Sequence, residues 1–139
     1  VLSHKERVCR ENGIALSINT ELPSEMPIES AHLCSIFSNL LDNSIQGVLE
    51  SGAENKEIDL QALVRGNCLT VSCKNPAGKP ARSHGSDPLR AHGLGLGILR
   101  TIASKYGGTL DTEYADGSFQ VFLCLPLQNQ PEGAAVNAQ

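Results

Sequence analysis

Several features that would assign this 139-residue chain to a particular class are missing from its sequence. No apolar stretch approaches the roughly 18 residues that cross a bilayer as a helix. The 11 basic residues form no long run, and the formal net charge is −4. Because binding to a phosphate backbone needs a concentrated basic face, this charge pattern argues against nucleic acid as the main partner.

The cysteines and histidines also form no known ligand pattern. There are five cysteines with no C-x-x-C pair, which fits a reducing compartment better than a disulfide framework. We expect these cysteines to be small residues of the hydrophobic core. The four histidines are scattered without metal-ligand spacing, so we do not expect a metal site built from His or Cys.

Length and composition fit one domain with its own core, since 40% of the residues are hydrophobic and 19% are charged. The chain begins at Val1 and its one methionine is Met26, so we interpret it as a fragment of a longer protein. We expect residues 1–12 to be the end of an upstream helical segment or a linker. Residues 13–127 are expected to fold as the domain, and residues 128–139 to be a disordered tail.

The apolar pattern predicts a series of short strands interrupted by two helices. Strands are predicted over residues 14–22, 56–65, 68–75, 109–115 and 118–126. Helices are predicted over residues 29–51 and from the glycine-rich segment 93–97 to Tyr106. Residues 76–92 have no apolar period, which predicts a long loop of the kind that often forms a lid. The short hairpin connections predict an α+β fold, in which helices cover one face of a mostly antiparallel sheet.

A polar stripe runs along the predicted helix 29–51, opposite its apolar face. Within roughly a 100° arc it holds Ser35, Asn39, Asp42, Asn43 and Gln46. A solvated surface is one interpretation of such a stripe. However, asparagine is a poor helix former, and two asparagines lie four residues apart in mid-helix. Carboxamides and a carboxylate on one face can also supply oxygen ligands to Mg²⁺ that bridges to phosphates.

The second predicted helix is preceded by the run His92-Gly93-Leu94-Gly95-Leu96-Gly97. Glycines let backbone amides approach an anion closely, and a helix N-terminus adds partial positive charge. The pattern therefore indicates either a phosphate site or a structural turn, and taken alone it does not separate the two.

Several motifs together resemble the GHKL ATPase superfamily, which includes histidine kinases, gyrase-type topoisomerases and heat-shock chaperones. Asn39-Leu40-Leu41-Asp42-Asn43 resembles its N box, and the run Gly93 to Ile98 resembles the second glycine box of the histidine-kinase branch. The similarity continues through Tyr106-Gly107-Gly108 and Gly117-Ser118-Phe119 to Leu125-Pro126. It covers residues 14–127 and implies a two-layer α/β sandwich of the Bergerat type, with ATP held between the N-box helix and the lid.

The resemblance also implies roles for individual residues. Asn43 would bind Mg²⁺, and Asn39 would arrange the water shell of the metal or the γ-phosphate, so these two residues would be the catalytic ones. The other implied ATP-binding residues are Asp42, Gln46, Asn75, Arg90, His92, Gly93, Leu94, Gly95, Leu96, Gly97 and Ser118. The implied reaction moves the γ-phosphoryl group to a histidine on a separate helical domain, mainly through positioning and charge neutralisation.

The sequence departs from the family at the first glycine box, which is usually Asp-x-Gly-x-Gly. Here it reads Asn75-Pro76-Ala77-Gly78-Lys79, similar to a divergent branch with peptide quorum-sensing and citrate-sensor-like kinases. The family aspartate accepts a hydrogen bond from the adenine amino group. An asparagine could accept that bond and also donate to a ring nitrogen, or it could merely cap a turn.

Two basic positions invite a functional interpretation. Of the lid cations, Arg90 is our preferred partner for the γ-phosphate, with solvation as the alternative. His4 lies in a short run that faintly resembles a phosphoacceptor box, but too few residues follow it for the helical hairpin that such a histidine needs. We therefore do not expect His4 to accept the phosphoryl group.

For the full-length protein, the resemblance implies a homodimer in which the domain works with its own upstream dimerisation and phosphoacceptor domain and with a response regulator. It further implies a cytoplasmic domain anchored to the bacterial plasma membrane, with little activity in this fragment alone. Two alternatives stay open. One is a stand-alone serine kinase of the anti-sigma-factor type, and the other is a nucleotide-binding pseudokinase or interaction module.

Overall fold

A computed structural model describes residues 2–77 and 94–127 of the chain. The elements in chain order are α1 (Leu2–Glu11), β1 (Ala15–Glu21), α2 (Ser30–Ser51), β2 (Glu57–Arg65), β3 (Cys68–Pro76), α3 (Leu94–Lys105), β4 (Thr109–Ala115) and β5 (Ser118–Pro126). Every strand and helix predicted from the sequence is therefore present, with small shifts at the ends. The expected lid over residues 76–92 and the tail over 128–139 lie largely or wholly outside the described residues.

The five strands form one sheet in the order β1-β2-β3-β5-β4. β1 pairs with β2 in parallel, since the connection between them passes through α2. All other neighbours are antiparallel. The turn between β4 and β5 places both Asp116 (φ 52°) and Gly117 (φ 78°) in the left-handed region, as two-residue hairpins prefer. The predicted mixed, mostly antiparallel sheet is confirmed.

One face of this sheet carries the hydrophobic core. Alternate residues of the central strands are fully buried, among them Leu60, Val71 and Leu123, and α2 and α3 pack over them. The apolar stripe of α2 lies in the same core. Strand residues of opposite parity are half-buried or exposed. The arrangement is the predicted two-layer sandwich with helices on one face.

The N-terminal helix α1 packs against α2 and β1. Cys9 is buried, and Leu2 and Val8 are half-buried against the core. The helix ends at Glu11, and Gly13, two residues later, has a φ of 71°, a left-handed conformation that often follows a helix C-terminus. The segment that precedes the first strand is thus helical and docked on the domain.

The structure differs from the sequence-based expectations in two places. Helix α3 begins at Leu94, so Gly95 and Gly97 lie within its first turns and not ahead of it. All five cysteines are free thiols, but Cys34 is exposed and Cys68 and Cys124 are half-buried. The prediction that the cysteines are core residues therefore holds for Cys9 and Cys73 and is wrong for Cys34. None of the helices in the described part of the chain has the length and apolarity of a membrane span.

Candidate nucleotide-binding site

Three positions spaced four residues apart line one side of α2: Asn39, Asn43 and Gly47. Residues at this spacing share a helix face. At one end of the row, Asn39 contacts the start of α3 at Gly95. At the other end, Gly47 contacts Asn75 near the end of β3. The row therefore connects the N-terminus of α3 to the place where β3 ends.

Asn43 occupies the middle of the row and is 4% exposed. Neither its amide nitrogen nor its carbonyl oxygen has a hydrogen-bond partner among the described residues. A buried polar group left unpaired costs about 1–3 kcal/mol. A ligand that supplied a cation to the oxygen and an acceptor to the nitrogen would remove this cost. The carbonyl oxygen is of the kind that Mg²⁺ accepts, so Asn43 fits the metal-binding role expected from the sequence.

Asn75 is the second buried carboxamide, at 1% exposed. Its Nδ2 donates to the carbonyl oxygen of Pro76 at 2.7 Å. Since a carbonyl oxygen only accepts, this contact fixes which atom of the amide is the nitrogen. The remaining Oδ1 is buried and has no partner among residues 2–77 and 94–127. The Pro76 carbonyl engages one of the two N–H donors of Asn75, so the unpaired Oδ1 can accept a hydrogen bond from a ligand amino group while the second N–H can still donate.

Asn39 is held by its own helix. Its Nδ2 donates to the carbonyl oxygen of Ser35 at 2.7 Å and contacts the Ser35 hydroxyl at 3.1 Å. The Oδ1 of Asn39 is thereby directed towards α3, where a Cβ atom added at Gly95 would lie 3.2 Å from it. The N-terminal amides of a helix are a common anion site. An acceptor and a helix N-terminus thus meet at this end of the row.

Other residues predicted to contact nucleotide point elsewhere. Asp42 forms an ion pair with Lys5 of α1, and Gln46 donates to Glu50 at 3.0 Å. Leu96 is buried in the core, whereas Gly97 is exposed, and a Cβ atom added there would meet no described residue within 4 Å. Ser118 is the exception, since it lies opposite Pro76 and lines a surface cavity together with Asn75 and Lys74.

Four of the predicted residues are therefore brought together: Asn39, Asn43, Asn75 and Gly95. Arg90, His92 and Gly93 lie outside the described residues, and of Leu94 only its place at the start of α3 is described. For all of these residues, contact with a nucleotide stays a prediction.

Comparison with known families decides what kind of site this arrangement belongs to. Residues 28–126 match the family model described as the GHKL domain. The chain belongs to the GHKL family. GHKL domains bind ATP, and the match spans the N box, Asn75 and α3.

Solved structures agree with this assignment at the level of the fold. The catalytic domain of histidine kinase ThkA is 21% identical with a TM-score of 0.64, over 88% of this chain and 84% of that one. The Acinetobacter baumannii histidine kinase AdeS is 15% identical with a TM-score of 0.65, over 92% of this chain and 64% of that one. A comparison with curated proteins gave no match. The predicted GHKL-type ATP-binding fold is confirmed.

Two residues of this GHKL domain were missed in the sequence. Gly47 lies four residues after Asn43 on the same face, and a mid-helix glycine costs about 1 kcal/mol relative to alanine. A glycine kept in mid-helix at this cost was the available signal that another part of the chain approaches α2 closely at Gly47. The second missed residue is Lys5. The available signal was its position on the apolar side of α1, where it interrupts the spacing of Leu2, Val8 and Cys9.

On the side of α2 that faces the sheet, the GHKL domain has a buried polar contact between α2 and β3. The Ser44 hydroxyl lies 3.0 Å from the Cys73 thiol. Burial is the main cause that raises the pKa of Cys73 to about 12, although the hydrogen bond to Ser44 opposes it. This thiol is therefore protonated and unreactive at neutral pH, and its role is to join α2 to β3.

Proposed function

We propose that this GHKL domain binds Mg-ATP and serves as the catalytic domain of a sensor histidine kinase, transferring the γ-phosphoryl group to a histidine on a separate helical domain. The observation that carries the proposal is Asn43, a buried N-box carboxamide whose two polar atoms are both unpaired among the described residues. Native proteins keep few such groups, and ligand sites are where they are expected.

Asn75 and the two asparagines of the row each have a part in this function. Asn75 accepts a hydrogen bond from the exocyclic amino group of the base through Oδ1. Asn43 holds the metal through its carbonyl oxygen, and Asn39 presents an acceptor beside the N-terminus of α3. When bound, Mg²⁺ neutralises charge on the phosphates, which is a principal part of phosphoryl-transfer catalysis. The protein supplies orientation of the base and of the polyphosphate.

The phosphoryl acceptor is proposed to lie on another domain. His4 is exposed on α1 and its Nδ1 lies 3.1 Å from an Arg7 nitrogen, and no feature of α1 provides the helical hairpin described above. We accordingly propose that the full-length protein is a homodimer anchored in the bacterial plasma membrane. Its upstream helices carry the acceptor histidine, and a response regulator receives the phosphoryl group.

Calorimetric titration with a non-hydrolysable ATP analogue, with and without Mg²⁺, tests the binding half of the proposal. Saturable binding that depends on Mg²⁺ is expected. Absence of binding at millimolar nucleotide by a folded sample would contradict it.

Radiolabelled ATP with the full-length protein tests the transfer half. A phosphoryl group on histidine, which acid releases, is expected. An acid-stable phosphoserine on a partner protein would favour the serine-kinase alternative. Binding without any transfer would favour a nucleotide-binding interaction module, an outcome that the replacement of the family aspartate by Asn75 makes worth testing.

A further inference from the structure

Lys5 lies on the side of α1 that packs onto the domain. Its side chain is only 13% exposed, while the other charged residues of this helix are all exposed: Glu6, Arg7, Arg10 and Glu11. Lysine is almost never so covered unless its charge is paired. Lys5 lies three residues from both Leu2 and Val8, which pack against the core, and its ammonium group reaches α2.

The partner of Lys5 on α2 is Asp42, whose Oδ1 accepts a hydrogen bond from the ammonium group. Asp42 immediately precedes Asn43 in the N box. Successive residues of a helix are turned by about 100°, so the Asp42 carboxylate faces α1 while the Asn43 amide faces the site. The two residues come from segments 37 positions apart in sequence, and only the docking of α1 brings Lys5 to this place.

The charge of Asp42 matters for a polyphosphate ligand. A carboxylate one position from the metal-binding residue repels a bound triphosphate, and because the Asp42 side chain is 60% exposed, salt in the solvent screens this repulsion. The Lys5 ammonium cancels that repulsion. We propose that Lys5 sets the nucleotide affinity of this domain by neutralising Asp42, so that tight polyphosphate binding requires α1 to be docked on α2.

This inference rests on the proposed function and adds a regulatory connection to it. The segment that leads into α1 can change the affinity of the site by moving α1, because separation of Lys5 from Asp42 exposes the polyphosphate to an uncompensated carboxylate. Lys5 is a positioning and affinity-setting residue in this scheme and does not touch the nucleotide.

The test is a titration of the chain and four variants with the Mg-bound ATP analogue and, separately, with adenosine. Lys5→Met removes the charge and keeps the stem, Asp42→Asn removes the carboxylate, and a double variant removes both. Arg10→Met is the matched control, since it makes the same change in net charge at an exposed position of the same helix. Protection of the buried Cys9 thiol against alkylation reports whether α1 stays docked.

We expect Lys5→Met to weaken the analogue about fivefold at low ionic strength, with a smaller effect at high salt. Adenosine affinity should be unchanged, and Arg10→Met should match the unmodified chain. The double variant, which removes both charges of the pair, should recover the affinity of the unmodified chain. Unchanged analogue affinity in Lys5→Met, or equal loss for adenosine, would overturn the inference while leaving the proposed function in place. Absence of nucleotide binding by the unmodified chain would remove both.

Discussion

The side chain of Asn75 occupies the space above the Cα atom of Gly47. A Cβ atom added at Gly47 would lie 2.7 Å from Asn75 Nδ2 and 3.5 Å from its Cγ. The end of β3 and the middle of α2 therefore meet at a contact that requires glycine. Because Asn75 also carries the unpaired acceptor of the site, this contact sets where that acceptor points.

Gly47→Ala is expected to displace Asn75 and to weaken the ATP analogue about tenfold or more, equivalent to about 1.4 kcal/mol of binding free energy. The gain in helix propensity, up to about 1 kcal/mol, offsets part of the steric cost in the free energy of unfolding. Calorimetry and urea unfolding measure the two effects. Adding Asn75→Ala should relieve the steric cost and restore stability without restoring binding. Wild-type affinity in Gly47→Ala would show that Asn75 does not contact the base.

Asn43→Ala is expected to abolish Mg²⁺-dependent nucleotide binding and to leave the stability equal or higher. The substitution removes two buried polar atoms that have no partner among the described residues, and an unpaired buried group is a cost to folding. Titration and thermal unfolding of the same sample provide the two readouts.

The matched control is Ser44→Ala, which faces the sheet and loses the contact with Cys73. It should lower the stability by about 1 kcal/mol and leave binding nearly intact. Retention of Mg-dependent binding by Asn43→Ala would refute the N-box assignment of this residue.

Gly95→Val is expected to weaken nucleotide binding, whereas Gly97→Val should have little effect on it. The added Cβ at Gly95 lies 3.2 Å from Asn39 Oδ1, while no residue within 2–77 or 94–127 lies within 4 Å of the same atom at Gly97. Both changes alter helix propensity equally, so their difference isolates the contact with Asn39. Affinities of the two variants for the ATP analogue provide the comparison. Equal affinities would mean that the start of α3 does not shape the phosphate side of the site.

Tyr106→Phe is expected to lower the free energy of unfolding by about 1–2 kcal/mol. The Tyr106 hydroxyl accepts a hydrogen bond from the Glu29 amide at 3.1 Å and lies 2.6 Å from His32 Nδ1. Helix α2 has no side-chain cap of its own at Glu29, so this hydroxyl takes that place. Urea unfolding measures the loss.

A double-mutant cycle with His32→Ala shows whether the two residues act together. Since the variants remove a shared bond, their losses should sum to more than the loss in the double variant. Strict additivity would indicate that the Tyr106–His32 contact contributes nothing.

Cys73 makes the stability depend on alkaline pH. Burial raises its pKa in the folded chain from 9.0 to about 12, so between these values the unfolded chain loses a proton that the folded chain keeps. The contribution to stability is present below the unfolded pKa and is lost as pH rises, with a limiting slope of about 1.4 kcal/mol per pH unit. Urea unfolding from pH 8 to 10 should show the unmodified chain losing more stability than Cys73→Ala. If the difference in the free energy of unfolding between the unmodified chain and Cys73→Ala stays constant over this pH range, the raised pKa of Cys73 is contradicted.

The helices and strands could be predicted from the local sequence, because apolar spacing and turn residues act within each element. The apolar three- and four-residue spacing of α2, with Ile36, Leu40 and Val48 in the core, follows from the geometry of one helix. The two hairpins follow from Gly66-Asn67 and Asp116-Gly117, which tolerate positive φ. The start of α3 was misplaced because two glycines in its first turns lower helix propensity. In the structure α3 packs against α2, and of the two glycines only Gly95 lies in that contact, beside Asn39.

The candidate site depends both on the local sequence and on the tertiary structure. The sequence by itself determined the family, the two-layer fold and the polar stripe that holds Asn39, Asp42, Asn43 and Gln46. Only the tertiary structure decided that Asn39 and Asn43 face inward while Asp42 pairs with Lys5 and Gln46 with Glu50. Helical periodicity gives the angle between side chains on one helix, but it contains no information about which element lies beside each of them. That is set by contacts between residues far apart in sequence, such as Gly47 with Asn75, which form when the helices and the sheet pack into one core.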